Sequence, residues 1–87
     1  MIRGVTSDGF EYEIDAKTLD NMELVDAISD ATEGDKLAIS RICRHLLGVD
    51  QRKALYNHHR KEDGTVPIEA VSKTVIEIFS TADDGKK

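Results

Sequence analysis

Three histidines and a single cysteine, His45, His58, His59 and Cys43, are the side chains with the most ligand chemistry to offer. Imidazole and thiolate together are ligands for a transition metal. Their spacing works against a shared ion. Successive side chains on a helix diverge by about 100°, which sends His58 and His59 to different sides. Cys43 and His45 diverge by about twice that angle. The expectation is a core thiol, surface or boundary imidazoles, and no metal site. Asp63-Gly64 followed by Ile68 has the outline of half a calcium loop. With Gly64 at the invariant glycine, His59 takes the first ligand position, Lys61 the third and Ala70 the twelfth, where a bidentate Glu is needed. The segment is therefore helix punctuation. There is no Ser–His–Asp order, no phosphate loop and no paired-carboxylate cleft, and the acids fall on solvent faces by periodicity. No catalytic residue and no cofactor is predicted, and the chain is expected not to be an enzyme.

A nucleic-acid reading rests on residues 35–61, which hold seven bases (Lys36, Arg41, Arg44, Arg52, Lys53, Arg60, Lys61) against Asp35 and Asp50. Two helices joined at Gly48 could make a helix-turn-helix, with Gln51, Arg52 and Asn57 as candidate base readers. Arg44 stands where that motif wants a small residue, and the net charge of −5 opposes non-specific binding. Residues 1–34 carry nine acids against Arg3 and Lys17. The simpler expectation is internal complementarity, with the basic middle lying beside acidic ends.

The elements that must carry these residues follow from periodicity and stop signals. Ile2 to Thr6 reads as a strand, Ser7-Asp8-Gly9 as a tight turn, and Phe10, Tyr12 and Ile14 alternate with Glu11, Glu13 and Asp15 as a second strand. The apolar face of this hairpin should lie against helices, because an isolated hairpin is marginal in water. Asp15 to Leu19 is a single turn. Asp20 is placed as the cap of the first full helix, with Glu23 reaching back and Leu19 and Leu24 as a hydrophobic staple. That helix buries Leu24, Val25, Ile28 and Ala31.

The organising stretch is Asp35 to Phe79, three helical blocks separated by glycine stops at Gly48 and Gly64. The first is the most apolar, with Ile39, Ile42, Cys43, Leu46 and Leu47 on one stripe. The second has a thin stripe of Ala54, Leu55 and His58, and turns Tyr56, Arg52 and His59 to the other side. The third opens at Pro67 and buries Ile68, Val71, Val75, Ile78 and Phe79, with Ile76 at the edge of the stripe. The predicted fold is α+β and mostly α, a short N-terminal β-hairpin (1–15) followed by a compact bundle of about four helices. It forms one domain over 1–80 with a disordered tail at 81–87. Its core is small, worth about 3–5 kcal/mol, and self-association would bury more surface. One cysteine excludes an internal disulfide, and no apolar run approaches membrane length. A soluble, cytoplasmic protein with no membrane contact is expected.

One order of residues is similar to a known family. Phe10-Glu11-Tyr12-Glu13-Ile14-Asp15 is followed by Leu19-Asp20-Asn21-Met22-Glu23-Leu24-Val25. Then come Leu46-Leu47-Gly48-Val49-Asp50-Gln51-Arg52-Lys53-Ala54-Leu55-Tyr56 and Arg60-Lys61-Glu62-Asp63-Gly64-Thr65-Val66-Pro67-Ile68-Glu69-Ala70-Val71. Over roughly residues 8–80 this resembles the small tail assembly chaperones of long-tailed, siphovirus-type bacteriophages, in their short form. The resemblance implies a non-enzymatic role in virion assembly. Such proteins bind the long helical tape measure protein and keep it soluble until tail tube subunits polymerise around it. A frameshifted long form contacts the major tail (tube) protein. The location implied is the host cytoplasm, with absence from the mature virion. The alternatives are a small helix-turn-helix DNA-binding regulator and a structural head or neck adaptor of the virion. The residues expected to meet a client are Arg52, Tyr56, His59 and Ile76, the aromatic, cationic and apolar side chains left off the buried stripes.

Overall fold

The structure is a computed structural model that describes residues 1–85, with side chains described as far as Ala82. Strands β1 (Ile2–Val5) and β2 (Glu11–Ile14) form a two-stranded antiparallel hairpin. Helices α1 (Ala16–Leu19), α2 (Met22–Thr32), α3 (Leu37–His59) and α4 (Ile68–Gly85) follow. The α+β, mostly helical architecture read from the sequence is the architecture observed.

The hairpin pairs Ile2 with Ile14, Arg3 with Glu13, Gly4 with Tyr12 and Val5 with Glu11. Its turn closes through Thr6 N–H to Phe10 O and Gly9 N–H to Thr6 O, both 2.9 Å. Gly9 takes φ 87°, the left-handed conformation this three-residue loop requires. Phe10, Tyr12 and Ile14 are buried as the alternation predicts. The Tyr12 ring lies across β1, and a Cβ on Gly4 would come within 2.7 Å of its Cζ. Only glycine at position 4 leaves room for that ring.

Asp15 caps α1 by accepting from Lys17 N–H at 3.0 Å. Asp20 then ends α1, donating its own N–H to Lys17 O, so it is not the cap of α2. Asn21 takes that role and accepts from Glu23 N–H at 3.0 Å. The buried line of α2 is Leu24 and Ala27, with Ile28 and Ala31 half-buried, while Val25 is 40 % exposed. This is the i, i+3, i+4, i+7 set, and Val25 lies about 100° off it. Gly34, at φ 105°, turns the chain, and the Asp35 carboxylate accepts from Leu37 N–H at 3.0 Å to start α3.

Helix α3 consists of two helical arms joined at a kink at Gly48, whose φ 72° and ψ −170° are open essentially to glycine alone. Its first arm, residues 37–47, buries Ala38, Ile42, Cys43, Leu46 and Leu47 at the centre of the core. Its second arm, residues 49–59, buries only Leu55; Ala54 and His58 are exposed. Tyr56 is half-buried against the core and does not point away from it, because the line of contact runs between residues 55 and 56.

The second arm also carries a contact that fastens the hairpin. Gln51 Oε1 accepts from Glu13 N–H at 2.7 Å, and Gln51 Nε2 donates to Glu13 O at 2.6 Å. One amide side chain thus satisfies both outward-facing backbone groups of Glu13, as a third strand would.

Helix α4 buries Val71, Thr74, Val75 and Ile78, with Phe79 half-buried and Ile68 54 % exposed. The stripe continues another turn to Ala82, which is buried in the core. The helix therefore runs to Gly85 through most of the segment expected as a disordered tail from 81. Residues 86 and 87, the end of that expected tail, lie outside the described residues. Of the seven bases in the middle of the chain, Arg41 is the one that pairs with acids among the described residues, Asp30 at 3.1 Å and Asp35 at 3.7 Å.

Candidate functional site

Between the first arm of α3, the loop before α4 and the first turn of α4 lies an open apolar groove of about 390 Å³. Its floor is Ile39, Tyr56, Val66 and Val71, and exposed Ile68 stands at its edge. Lys36 and Arg60 supply its charge, both positive. A second depression adjoins it, sharing Lys36, Ile39 and Ile68 and reaching Ala31. Together they form a long shallow surface with an apolar floor, basic at the first depression and of mixed charge at the second, where Glu69 stands beside Lys73. Loop geometry holds the edge. Arg60 donates to Asn57 Oδ1 at 3.2 Å and to Gly64 O at 2.7 Å. Asp63 accepts from Thr65 N–H and Oγ1 at 3.0 and 2.7 Å. Those two bonds hold the Asp63 carboxyl below its ordinary range.

Beneath the groove, the Tyr56 hydroxyl sits beside the Cys43 thiol. Burial pushes both groups upward, against a weaker opposing pull from Arg52. Cys43 is fully buried and is a core residue, as its place on the stripe predicts.

A polar cluster lies at the other end of the second arm of α3. His58 Nε2 lies 2.9 Å from the Asp8 carbonyl oxygen. That oxygen can only accept, so His58 carries its proton on Nε2. His59 Nε2 lies 3.0 Å from Asp8 Oδ2 and 2.8 Å from Thr74 Oγ1. Thr74 Oγ1 is also 2.7 Å from Asp8 Oδ2 and 2.9 Å from Ala70 O. Thr6 donates to Asp8 Oδ1. Burial raises the Asp8 carboxyl, but the hydrogen bonds from Thr6 and Thr74, the neighbouring His59 and the backbone at Phe10 outweigh it and hold the group low. One donor atom from each of Asp8, His58 and His59 falls within 4.8 Å of the others. The expected divergence of the two imidazoles is therefore corrected. Their Cβ atoms do separate around the helix, but the rings sit at its last two positions and swing back onto the hairpin turn. Asp8, some fifty residues away in the chain, was the missing member.

The structure disperses the residues expected to meet a client. Tyr56 lines the groove. Arg52 is half-buried next to Tyr56 and Cys43. His59 is engaged with Asp8 and Thr74. Ile76 is half-buried on α4 and lies outside the groove lining. The candidate base readers are likewise occupied, Gln51 by Glu13 and Asn57 by Arg60. No described helix is long and apolar enough to cross a membrane. No protein-family model, curated protein or solved structure matches the chain.

Proposed function

We propose that the protein is a non-enzymatic assembly chaperone. In this reading it holds an apolar helical stripe of a phage tape measure protein until tail tube subunits enclose it. The observation that carries the proposal is the groove, with Ile39, Tyr56, Val66 and Val71 as its floor and Lys36 and Arg60 on its rim. An amphipathic helix with acids flanking its apolar anchors fits such a surface. Exposed Ile68, at 54 %, extends the apolar area available to a long client. Several copies along one rod would gain avidity from a weak single contact. The family resemblance in residue order supports the same role. The DNA-binding alternative draws less support, since only Gly48 leaves helical geometry where a helix-turn-helix uses a turn of about three to four residues.

The test is co-expression of the tape measure protein with the wild-type chain or with Ile68→Asp. Ile68 is exposed, so the variant folds with an unchanged melting temperature. The client should be soluble with the wild type and lost to the pellet with Ile68→Asp. Equal client solubility with both chains, or with neither, would remove the proposal.

A further inference from the structure

We propose that Asp8, His58 and His59 form a binding site for one divalent transition-metal ion of the zinc type, which staples the hairpin turn to the end of α3. The site is independent of the groove and of the chaperone reading. Two imidazoles and one carboxylate are a common ligand set for zinc and its neighbours, and their donor atoms already lie within 4.8 Å of one another. Two imidazoles on one tetrahedral ion, bound at about 2.0–2.1 Å, place their ring centres roughly 5 Å apart. The His58 and His59 ring centres are 5.0 Å apart, at 76° to each other. The 3.0 Å between His59 Nε2 and Asp8 Oδ2 is only a few tenths short of the ~3.3 Å edge of such a tetrahedron. His58 offers the ion Nδ1, the nitrogen left free by its Nε2–H bond to the Asp8 carbonyl, and a small outward movement of exposed Asp8 admits the ion.

The surroundings support the same assignment. Thr6 and Thr74 hold the two carboxylate oxygens of Asp8, the kind of outer contact that orients a ligand. Phe10 packs a tilted ring against His58 at 5.7 Å and limits its rotation. Both histidines end α3, where exposed carbonyls favour positive charge. Lys73, the ammonium lining the adjoining depression, is engaged by Glu69 at 3.2 Å, and Glu77 there accepts from Ser7 N–H and Oγ at 2.6 and 2.7 Å. Three protein ligands leave one position for water or for a donor from a second molecule.

The experiment uses the full chain, purified without a polyhistidine tag and stripped with chelator. Zinc uptake is followed by calorimetry and cobalt uptake by visible absorption. One ion per chain, a tetrahedral cobalt spectrum and a higher melting temperature with zinc are expected. His58→Gln keeps an N–H for the Asp8 carbonyl but removes the imidazole. It should weaken uptake by more than about tenfold, the loss that even outer contacts produce, and abolish the thermal gain. His58→Ala should do the same. His45 lies in a separate depression with Asp26 and Asp30, and His45→Ala should leave binding unchanged. Absence of uptake at sub-millimolar zinc overturns the proposal. So does uptake that survives both His58 variants, or that is lost in His45→Ala.

Discussion

At the scale of single residues, burial decides what each reactive group does. Cys43 is enclosed by the core, and removal of water pushes its thiol above its ordinary 9.0. Tyr56 beside it is raised above 10.0, again chiefly by burial. A folded-state value above the unfolded one means the native state prefers the protonated form. The associated stability is complete below pH 9.0 and is lost as pH rises through that value toward the folded one. The urea midpoint should therefore hold up to about pH 9 and fall between there and about pH 10, and stay level over that interval in Cys43→Ala. In that variant the Tyr56 share persists and begins only above 10.0. A midpoint independent of pH over this range would show that the thiol is not sequestered as the packing requires. Below pH 9 a thiol reagent should label Cys43 only on unfolding.

At the scale of elements, the hairpin depends on its dock. A two-stranded sheet alone is marginal, and the Gln51 amide bonds both outward-facing backbone groups of Glu13 on the edge of β2. Gln51→Ala leaves the Glu13 N–H and C=O to water or to nothing, at a cost of about 1–2 kcal/mol. That corresponds to roughly 5–10 °C in melting temperature for a domain of this size. Calorimetry of the variant reads this directly, and an unshifted transition would mean the hairpin is held by its apolar face alone. Much of this level was legible in the chain. The stops at Gly48 and Gly64 take positive φ, and the stripes of the first arm of α3 and of α4 from Val71 on are buried nearly as their periods predict. What escaped were features set by neighbours in space. Asp20 looked like a cap until α1 claimed it, and Val25 gave way to Ala27, which completes the i, i+3, i+4, i+7 line. The role of Gln51 and the convergence of His58 and His59 on Asp8 depend on where the hairpin lands, which no local period encodes.

At the scale of the molecule, charge and apolar surface are distributed unevenly. Arg41 joins the acidic α2 to α3, while Lys36 and Arg60 stay beside the groove. Ile68 falls on a stripe by period but stands exposed, at the edge of the groove. A surface of this kind is where a helical client would seat, and the account places the client's contact there. The most direct measurement installs a photo-crosslinking side chain at position 68 and, as control, at position 3, where Arg3 is exposed on the hairpin. Each chain is irradiated in cells making the tape measure protein. The account predicts an adduct from position 68 to an apolar, acid-flanked helical segment of that protein, and none from position 3. An adduct from position 3 alone, or no adduct to the tape measure protein from either position, would contradict it.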